Sequence, residues 1–140
     1  MSVYIDASVL AAAILNEPRS QAVRDWWESG ADPAVVSDLA ILECIAVISR
    51  AARTKRFADR EAEAALQSLD ALRAECVSHA HGRGDFALAE ELVRDFSTKL
   101  AAPDALHLAA TINLGASLAT FDLRMAEAAR AREVRVQELP

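Results

Sequence analysis

Cysteine, glycine and proline are scarce in this sequence. Its 140 residues include four glycines, four prolines and only two cysteines, Cys44 and Cys76. The cysteines lie far apart within apolar segments and form neither a CxxC pair nor a Cys/His finger, so we expect two reduced core thiols in a reducing compartment. No linker rich in glycine, serine or proline interrupts the chain. This absence and the chain length predict a single domain over residues 1–140.

Long apolar runs are also absent. No uncharged stretch approaches the roughly 20 residues that a membrane-spanning helix needs. Asp6 interrupts the first apolar run and no basic region precedes it, which is not the pattern of a secretory signal peptide. We therefore expect a cytoplasmic protein without a membrane partner.

Positive charge is in deficit, because the formal net charge is −6 at pH 7. This balance argues against a general nucleic-acid-binding surface. It leaves a local one open, and the negative charge can be concentrated in a few carboxylates that a metal ion would neutralise. The hydrophobic fraction of 53% argues against disorder, and the alanine-rich stretches favour helix.

What the sequence does contain is an alternation of short β-branched runs with longer helical patterns. Such alternation predicts a parallel sheet covered on both faces, and right-handed crossovers then give a three-layer α/β/α sandwich. The predicted strands are residues 2–6, 35–37, 76–80, 117–120 and the VRVQEL segment near the end. The predicted helices are residues 7–15, 19–29, 39–53, 59–74, 85–99, 103–114 and 122–132.

Four acidic residues are expected at one edge of this sheet. Asp6 lies at the carboxyl end of the first predicted strand, and Asp122 follows the predicted strand at 117–120 after one residue, Phe121. Asp104 lies in the first turn of the helix that leads into the strand at 117, and Glu43 lies about one turn into the helix after the strand at 35. In parallel sheets, ligands bind beyond the carboxyl ends of the strands, at the point where the strand order reverses.

Glu43 is the most informative of the four because no polar stripe surrounds it. An ionised carboxylate on an apolar helix face needs a cation or a strong hydrogen-bond partner. Its helical neighbours at i±3 and i±4 are Leu39, Ala40, Ala46 and Val47.

Each aspartate alone also has a purely structural explanation. Asp6, or Ser8 behind it, fits a helix N-cap, and so does Asp122. Asp104 follows Pro103 in a first helical turn, where the helix dipole favours an acid. The cluster is harder to explain, since two unit charges about 4 Å apart repel by about 4 kcal/mol at an effective dielectric of about 20. Oxygen-only ligands suit Mg²⁺ or Mn²⁺, so the cluster predicts a metal site.

Neighbouring polar residues are candidates for supporting roles. Ser8 and Thr120 could orient a carboxylate or a bound water, with plain helix capping as the alternative. His107 lies one turn after Asp104 and could hydrogen-bond it, although a satisfied, partly buried histidine is the commoner arrangement. A further histidine pair has no third ligand nearby and is not expected to bind a metal: His79 and His81.

The order and context of the acids match a known pattern. The motifs are YIDASVL at Asp6, SDLAILE at Glu43, PDALHLAA at Asp104 and TFD at Asp122. Together they resemble the PIN-domain nucleases, and among these the small VapC-type toxins of type II toxin–antitoxin systems. The resemblance covers essentially the whole chain and implies a PIN-like three-layer α/β/α sandwich.

The resemblance also implies an activity, a cofactor and partners. It implies a Mg²⁺- or Mn²⁺-dependent ribonuclease that acts on RNA, forms a homodimer and is held inactive by a cognate antitoxin. Asp6, Asp104 and Asp122 would be metal ligands, direct or through water. Glu43 would be a fourth ligand or would orient the attacking water, and all four would be catalytic.

Two predicted helices, 7–15 and 39–53, are apolar on nearly every face. A covering helix of a sandwich needs only one buried face, so part of this surface is expected to stay uncovered in a monomer. Exposed apolar patches of more than a few hundred Å² usually mark interfaces. A second copy of the chain and an antitoxin segment are the two candidate occupants.

Other functions fit the sequence less well. An aspartyl phosphatase also places an aspartate after its first strand, but it usually needs a second acid two residues later, where this chain has Ser8. Neither a GxGxxG nor a P-loop motif occurs. The remaining alternative is a non-catalytic interaction subunit whose acidic pocket anchors a basic residue of a partner protein.

Overall fold

The computed structural model describes residues 1–140 and contains four strands and seven α-helices. The strands are β1 (Val3–Ile5), β2 (Ala34–Ser37), β3 (Val77–His79) and β4 (Ser117–Ala119). The helices are α1 (Ala7–Ile14), α2 (Ser20–Ser29), α3 (Asp38–Arg53), α4 (Asp59–Glu75), α5 (Arg83–Arg94), α6 (Ala102–Leu114) and α7 (Leu123–Arg130). None of these helices combines the length and the apolar character that crossing a bilayer requires.

The strands form one parallel sheet in the order β3-β2-β1-β4. Tyr4, at the centre of β1, pairs with Val35 of β2 on one side and with Leu118 of β4 on the other. Helices pack against both faces of the sheet. The predicted three-layer α/β/α sandwich with a central parallel sheet is therefore confirmed.

Alternation along the strands divides the core into two layers. Val3 and Ile5 of β1 belong to a hydrophobic cluster with α1, α2, α3 and α4. Tyr4, between them, points to the opposite face and belongs to a cluster with α5, α6 and α7. Consequently α3 lies on one face of the sheet and α6 on the other.

The strand order reverses between β1 and β4. The chain proceeds from β1 to β2 and β3 in one direction and then crosses back to place β4 on the other side of β1. The connections that leave β1 and β4 diverge there and open a crevice at the carboxyl ends of both strands. Asp6 follows β1 directly and Asp122 lies just after β4, so both aspartates stand at this crevice.

The predicted fifth strand, VRVQEL, is wrong as a regular strand. Val136 forms a single isolated parallel bridge to Leu118, with one hydrogen bond from Leu118 N to Arg135 O and one from Gln137 N to Leu118 O. Its alternating side chains favour an extended backbone, but the three-residue β4 offers little edge for a neighbour to pair with.

The predicted helix 85–99 is shorter than expected. It begins at Arg83 and ends at Arg94, and a 3₁₀ turn follows at Phe96–Thr98. Asp95 stops the α-helix because its carboxylate accepts the backbone N–H of Ser97 at 3.1 Å, an alternative to the helical hydrogen bond.

Both cysteines are free thiols, as the sequence indicates. Cys44 is buried on the inner side of α3, and burial raises its pKa to about 12. Cys76 is partly buried, and burial raises its pKa to about 11. Neither thiol is therefore activated as a nucleophile at neutral pH.

Candidate functional site

The four acidic side chains line one cleft at the carboxyl edge of the sheet. The cleft has a volume of about 430 Å³. The acids come from four different places: the turn after β1, the second turn of α3, the first turn of α6 and the N-terminus of α7. No lysine or arginine lines the cleft, so its charge is strongly negative. The lining residues are Asp6, Ala7, Ser8, Ala11, Glu43, Ala46, Val47, Asp104, His107 and Asp122.

Asp6 is almost fully buried, with 2% of its surface exposed. Its Oδ1 accepts hydrogen bonds from the Ser8 hydroxyl at 2.6 Å and from the Val9 N–H at 3.0 Å. Its Oδ2 accepts one from the Thr120 hydroxyl at 2.5 Å. The Val9 bond is an N-cap, so Asp6 both caps α1 and lines the cleft. Since a carboxylate has about four lone-pair positions, one position on Oδ2 stays free for a ligand.

Ser8 and Thr120 tie Asp6 to the loop after β4. The Ser8 oxygen accepts the backbone N–H of Phe121 at 3.0 Å, and the Thr120 oxygen accepts that of Asp122 at 2.9 Å. Burial raises the pKa of Asp6, whereas the hydrogen bonds from these two hydroxyls favour its ionised form. Both hydroxyls therefore orient Asp6 and neither caps a helix through its side chain.

Asp122 also has two roles. Its Oδ1 accepts the backbone N–H of Met125 at 2.9 Å and caps α7, as the structural explanation predicts. The residue is only partly buried, and it lines the cleft as well. Capping and lining the cleft are thus compatible, for Asp122 as for Asp6.

Asp104 lies beside the other acids in the first turn of α6, directly after Pro103. Burial raises its pKa, and the negative charges of Asp122, Glu43 and Asp6 raise it further. The residue is only partly buried and lines the cleft. Asp104 is therefore free to accept a ligand, and the acids are close enough to repel one another.

Glu43 meets His107 across the carboxyl edge of the sheet. The Nε2 of His107, on α6, lies 2.7 Å from Oε2 of Glu43, on α3. The His107 side chain is buried, whereas that of Glu43 is 31% exposed. His107 is therefore a satisfied, buried histidine, the commoner of the two arrangements considered, and it does not hydrogen-bond Asp104, because the imidazole ring is held between Glu43 and Tyr4.

Tyr4 and Ser37 belong to the site, and sequence analysis missed both. The Tyr4 hydroxyl lies 2.8 Å from Nδ1 of His107 and 2.8 Å from the Ser37 hydroxyl. The Ser37 oxygen accepts the N–H of Ala40 at 3.1 Å and caps α3, the helix that carries Glu43. A tyrosine inside a buried strand needs a hydrogen-bond partner for its hydroxyl, so the position of Tyr4 in the sequence could have indicated a buried polar contact.

The other two histidines form a separate cluster with Asp85. The Nε2 of His79 lies 2.8 Å from Oδ2 of Asp85, and the Asn113 amide donates to Oδ1 at 2.8 Å. Burial opposes ionisation of Asp85, but its hydrogen bonds outweigh that effect and lower its pKa. The His81 ring stands edge-on to the rings of His79 and His107, with centroids 5.3 and 6.4 Å away.

The donor atoms of the cleft suit a hard divalent cation. All four acids present carboxylate oxygens, which Mg²⁺ and Mn²⁺ prefer. No three Asp, Glu, His or Cys side chains are close enough to surround one ion directly. Mg²⁺ usually binds through one or two carboxylates and keeps several waters. The residues present therefore fit a partly hydrated ion held by few direct ligands.

Comparison with known proteins places the chain in a family. The profile of the PIN domain matches residues 3–131, nearly the whole chain. This chain belongs to the PIN-domain family. No significant match was found among curated protein sequences.

Several solved structures share the fold of this PIN domain. VapC20 of Mycobacterium tuberculosis, a toxin that cleaves the sarcin–ricin loop, has a TM-score of 0.77 and 22% identity over 99% of this chain and 100% of that chain. VapBC2 of Rickettsia felis, bound to promoter DNA, has a TM-score of 0.76 and 14% identity over 100% of both chains. FitAcB of Neisseria gonorrhoeae has a TM-score of 0.74 and 15% identity over 97% of this chain and 96% of that chain. The structural neighbours of this PIN domain therefore include VapC toxins.

Proposed function

We propose that this PIN domain is a Mg²⁺- or Mn²⁺-dependent endoribonuclease and the toxin of a toxin–antitoxin pair. The observation that carries the proposal is the convergence of four carboxylates on one cleft at the point where the strand order reverses. PIN domains are a nuclease family, and the similar VapC20 is a toxin that cleaves an RNA loop. The reaction would be hydrolysis of an RNA phosphodiester bond.

The four acids would share the task of holding the ion. Asp104 and Asp122 are partly exposed at the cleft and would bind it directly or through water. Asp6 would offer its one free lone pair, in an orientation fixed by three hydrogen bonds. Glu43 would be a further ligand or would orient the attacking water. When bound, the ion supplies stabilisation of the charge that develops on the scissile phosphate.

The charge of the cleft supports this dependence on a cation. RNA phosphates are negative, the chain has a net charge of −6, and no basic side chain lines the cleft. The acids alone would repel the substrate. Neutralisation by a divalent ion removes that repulsion and gives the phosphate something to bind.

Exposed apolar residues beside the cleft support an antitoxin partner. Leu42, Ile45 and Val47 of α3 are 62%, 38% and 46% exposed. Val47 also lines the cleft, so this patch is continuous with the acids. An amphipathic antitoxin segment would lay its apolar side on α3 and direct a basic side chain to the carboxylates. The uncovered surface expected on the two apolar helices lies mainly on α3, since α1 has only partly exposed residues.

A second apolar surface supports the homodimer. Phe86 and Val93 of α5 are 57% and 41% exposed and line a groove of about 930 Å³ between α5 and α6. This groove lies on the opposite face of the sheet from α3. A second copy on α5 would therefore leave the α3 patch free for an antitoxin.

Metal-dependent cleavage of RNA by the purified chain tests the proposed function. We expect cleavage with Mn²⁺, loss of cleavage with EDTA, and inhibition when the product of the adjacent upstream gene is added. A chain that binds such a partner but neither binds Mn²⁺ nor cleaves RNA would instead be an interaction subunit whose acids anchor a basic residue.

A further inference from the structure

The carboxylate of Glu43 is held by a chain of hydrogen bonds that returns to its own helix. From Glu43 the chain runs to His107 at 2.7 Å, to Tyr4 at 2.8 Å and to Ser37 at 2.8 Å. Ser37 is the N-cap of α3, which also carries Glu43. These hydrogen bonds therefore fix the Glu43 carboxylate and the start of its helix to the same buried side chains.

His107 and its hydrogen-bond partners Tyr4 and Ser37 are buried. Tyr4 has no exposed surface, and Ser37 has none. The His107 side chain is 2% exposed, so its ring cannot turn to solvent for other partners. Both ring nitrogens already have partners, which leaves the imidazole a single orientation.

The hydrogen-bonding capacities of these groups show that Nε2 of His107, the ring nitrogen that faces Glu43, carries a proton. An ionised carboxylate only accepts, so Nε2 of His107 must donate to Glu43. If Ser37 donates to Tyr4, then Tyr4 donates to Nδ1 and the ring is neutral. If Tyr4 donates to Ser37, then Nδ1 donates to Tyr4 and the ring is charged. Nε2 carries a proton in both arrangements, and Oε1 of Glu43 is left for the cleft.

We propose that His107 is a positioning residue that holds the carboxylate of Glu43 in the cleft, with Tyr4 fixing the imidazole ring. The proposal rests on the proposed function for its effect on metal binding. Glu43 belongs to α3, on one face of the sheet, and Asp104 belongs to α6, on the other face. Because α6 carries both Asp104 and His107, one bond from His107 sets the place of Glu43 relative to Asp104.

A second histidine–carboxylate pair supplies a matched control. His79 and Asp85 are joined by a contact of 2.8 Å, close to the length of the His107–Glu43 contact. Neither His79 nor Asp85 lines the cleft. Loss of His79 therefore removes a similar pair without touching the acids.

Mn²⁺ titration of the full chain, by calorimetry, tests the proposal with the metal alone as probe. We expect His107→Gln to weaken Mn²⁺ binding by roughly 10–100-fold, the usual effect of losing a partner of a metal ligand. Tyr4→Phe, which removes only a hydroxyl, should weaken it in the same direction by a smaller factor. His79→Gln should bind Mn²⁺ like the wild type.

The dependence on Glu43 separates positioning from general support of the fold. In a Glu43→Gln background, adding His107→Gln should cause no further loss of Mn²⁺ affinity. An undiminished loss in that background, or wild-type affinity in His107→Gln and Tyr4→Phe alike, would overturn the proposal. Tyr4→Phe decides the matter alone if His107→Gln does not fold.

Thermal unfolding of the variants in EDTA tests the positioning role of His107 independently of the proposed function. A wild-type chain that binds no Mn²⁺ would contradict the metal-dependent nuclease. The positioning proposal would then be decided by the Tm shifts of His107→Gln, Glu43→Gln and the double variant. A double variant whose Tm shift is smaller than the sum supports the bond between the two side chains. Shifts that simply add would refute it.

Discussion

The hydroxyl of Thr120 donates a 2.5 Å hydrogen bond to Oδ2 of Asp6, although the two residues are 114 positions apart in the chain. The bond joins the carboxyl ends of β4 and β1, the strands between which the strand order reverses. The same Thr120 oxygen accepts the backbone N–H of Asp122 at 2.9 Å. One side chain thus fixes two of the four acids.

Replacing Thr120 by valine should destabilise the protein. The change keeps the branched shape but leaves Oδ2 of Asp6 and the N–H of Asp122 without their partner. We expect a loss of about 1.5–3 kcal/mol in the free energy of unfolding, measured with urea, because the bond is to a charged group. Thr120→Ser keeps the hydroxyl and should lose less. Equal stabilities of the two variants would show that the hydroxyl does not matter.

Removing the charge of Asp104 should stabilise the metal-free protein. Burial and the neighbouring carboxylates raise the pKa of Asp104, so its ionised form is less favourable in the folded state than in the unfolded chain at neutral pH. In EDTA at pH 7, we expect Asp104→Asn to raise Tm by about 2–4 °C. The gain should vanish in acid, where the carboxyl group is protonated in both states.

With Mn²⁺ present, wild type should have a higher Tm than Asp104→Asn, the reverse of the order in EDTA. An ion that binds only the folded state raises Tm by mass action, and wild type should gain more than Asp104→Asn. The double variant Asp6→Asn with Asp104→Asn should lose the Mn²⁺ response while its circular dichroism stays that of a folded protein. A double variant with the full wild-type response would place the metal elsewhere.

Asp85 should stabilise the protein in a pH-dependent way. Its pKa is lower in the folded state than the usual 3.8, so its contribution is complete above pH 3.8 and is lost as the pH falls through the folded value. We expect Asp85→Asn to cost about 1–3 kcal/mol at pH 7, since several hydrogen bonds are weakened. Urea unfolding at pH 7 and pH 3 should show a smaller difference at pH 3. A difference that grew in acid would contradict the lowered pKa.

The sequence was informative where local pattern and topology agree. A short apolar strand pattern with an acid at its end marks the carboxyl end of a strand, which located Asp6 after VYI and Asp122 after SLATF. Glu43 stood out because an acid on an apolar helix face needs a partner. Each of these signals lies within a few residues of the acid, and the parallel topology then brings the acids to one edge.

The partners of the acids were beyond the reach of local pattern. His107 contacts Glu43, which is 64 positions away and on the other layer of the sandwich. Helical spacing offered only Asp104, a neighbour on the same helix, as a candidate partner. The strand prediction for the VRVQEL segment was wrong for a related reason. The number of residues that can pair with β4 depends on the length of β4 and not on the segment's own residues.

Charge substitutions on the two apolar surfaces should separate the two partners. Phe86→Glu lies in the groove of α5 and should convert the expected dimer to a monomer, measured by light scattering. Leu42→Glu lies on α3 and should leave the dimer intact but weaken co-purification with the upstream partner. Each variant is the control for the other. A wild-type monomer at micromolar concentration, with no binding to that partner, would remove both assemblies and leave the nuclease proposal standing.

Single-turnover cleavage of RNA by wild type and Asp104→Asn tests the central claim most directly. Asp104 is the better choice than Asp6, because Asp6 accepts three hydrogen bonds whose weakening would also lower the stability of the protein. With Mn²⁺, we predict that wild type cleaves, that EDTA stops it, and that folded Asp104→Asn is slower by roughly 10²-fold or more, the cost of losing a preorganised group that stabilises transition-state charge. Equal cleavage by the two proteins, or none by folded wild type with Mn²⁺ bound, would contradict a ribonuclease centre at these carboxylates.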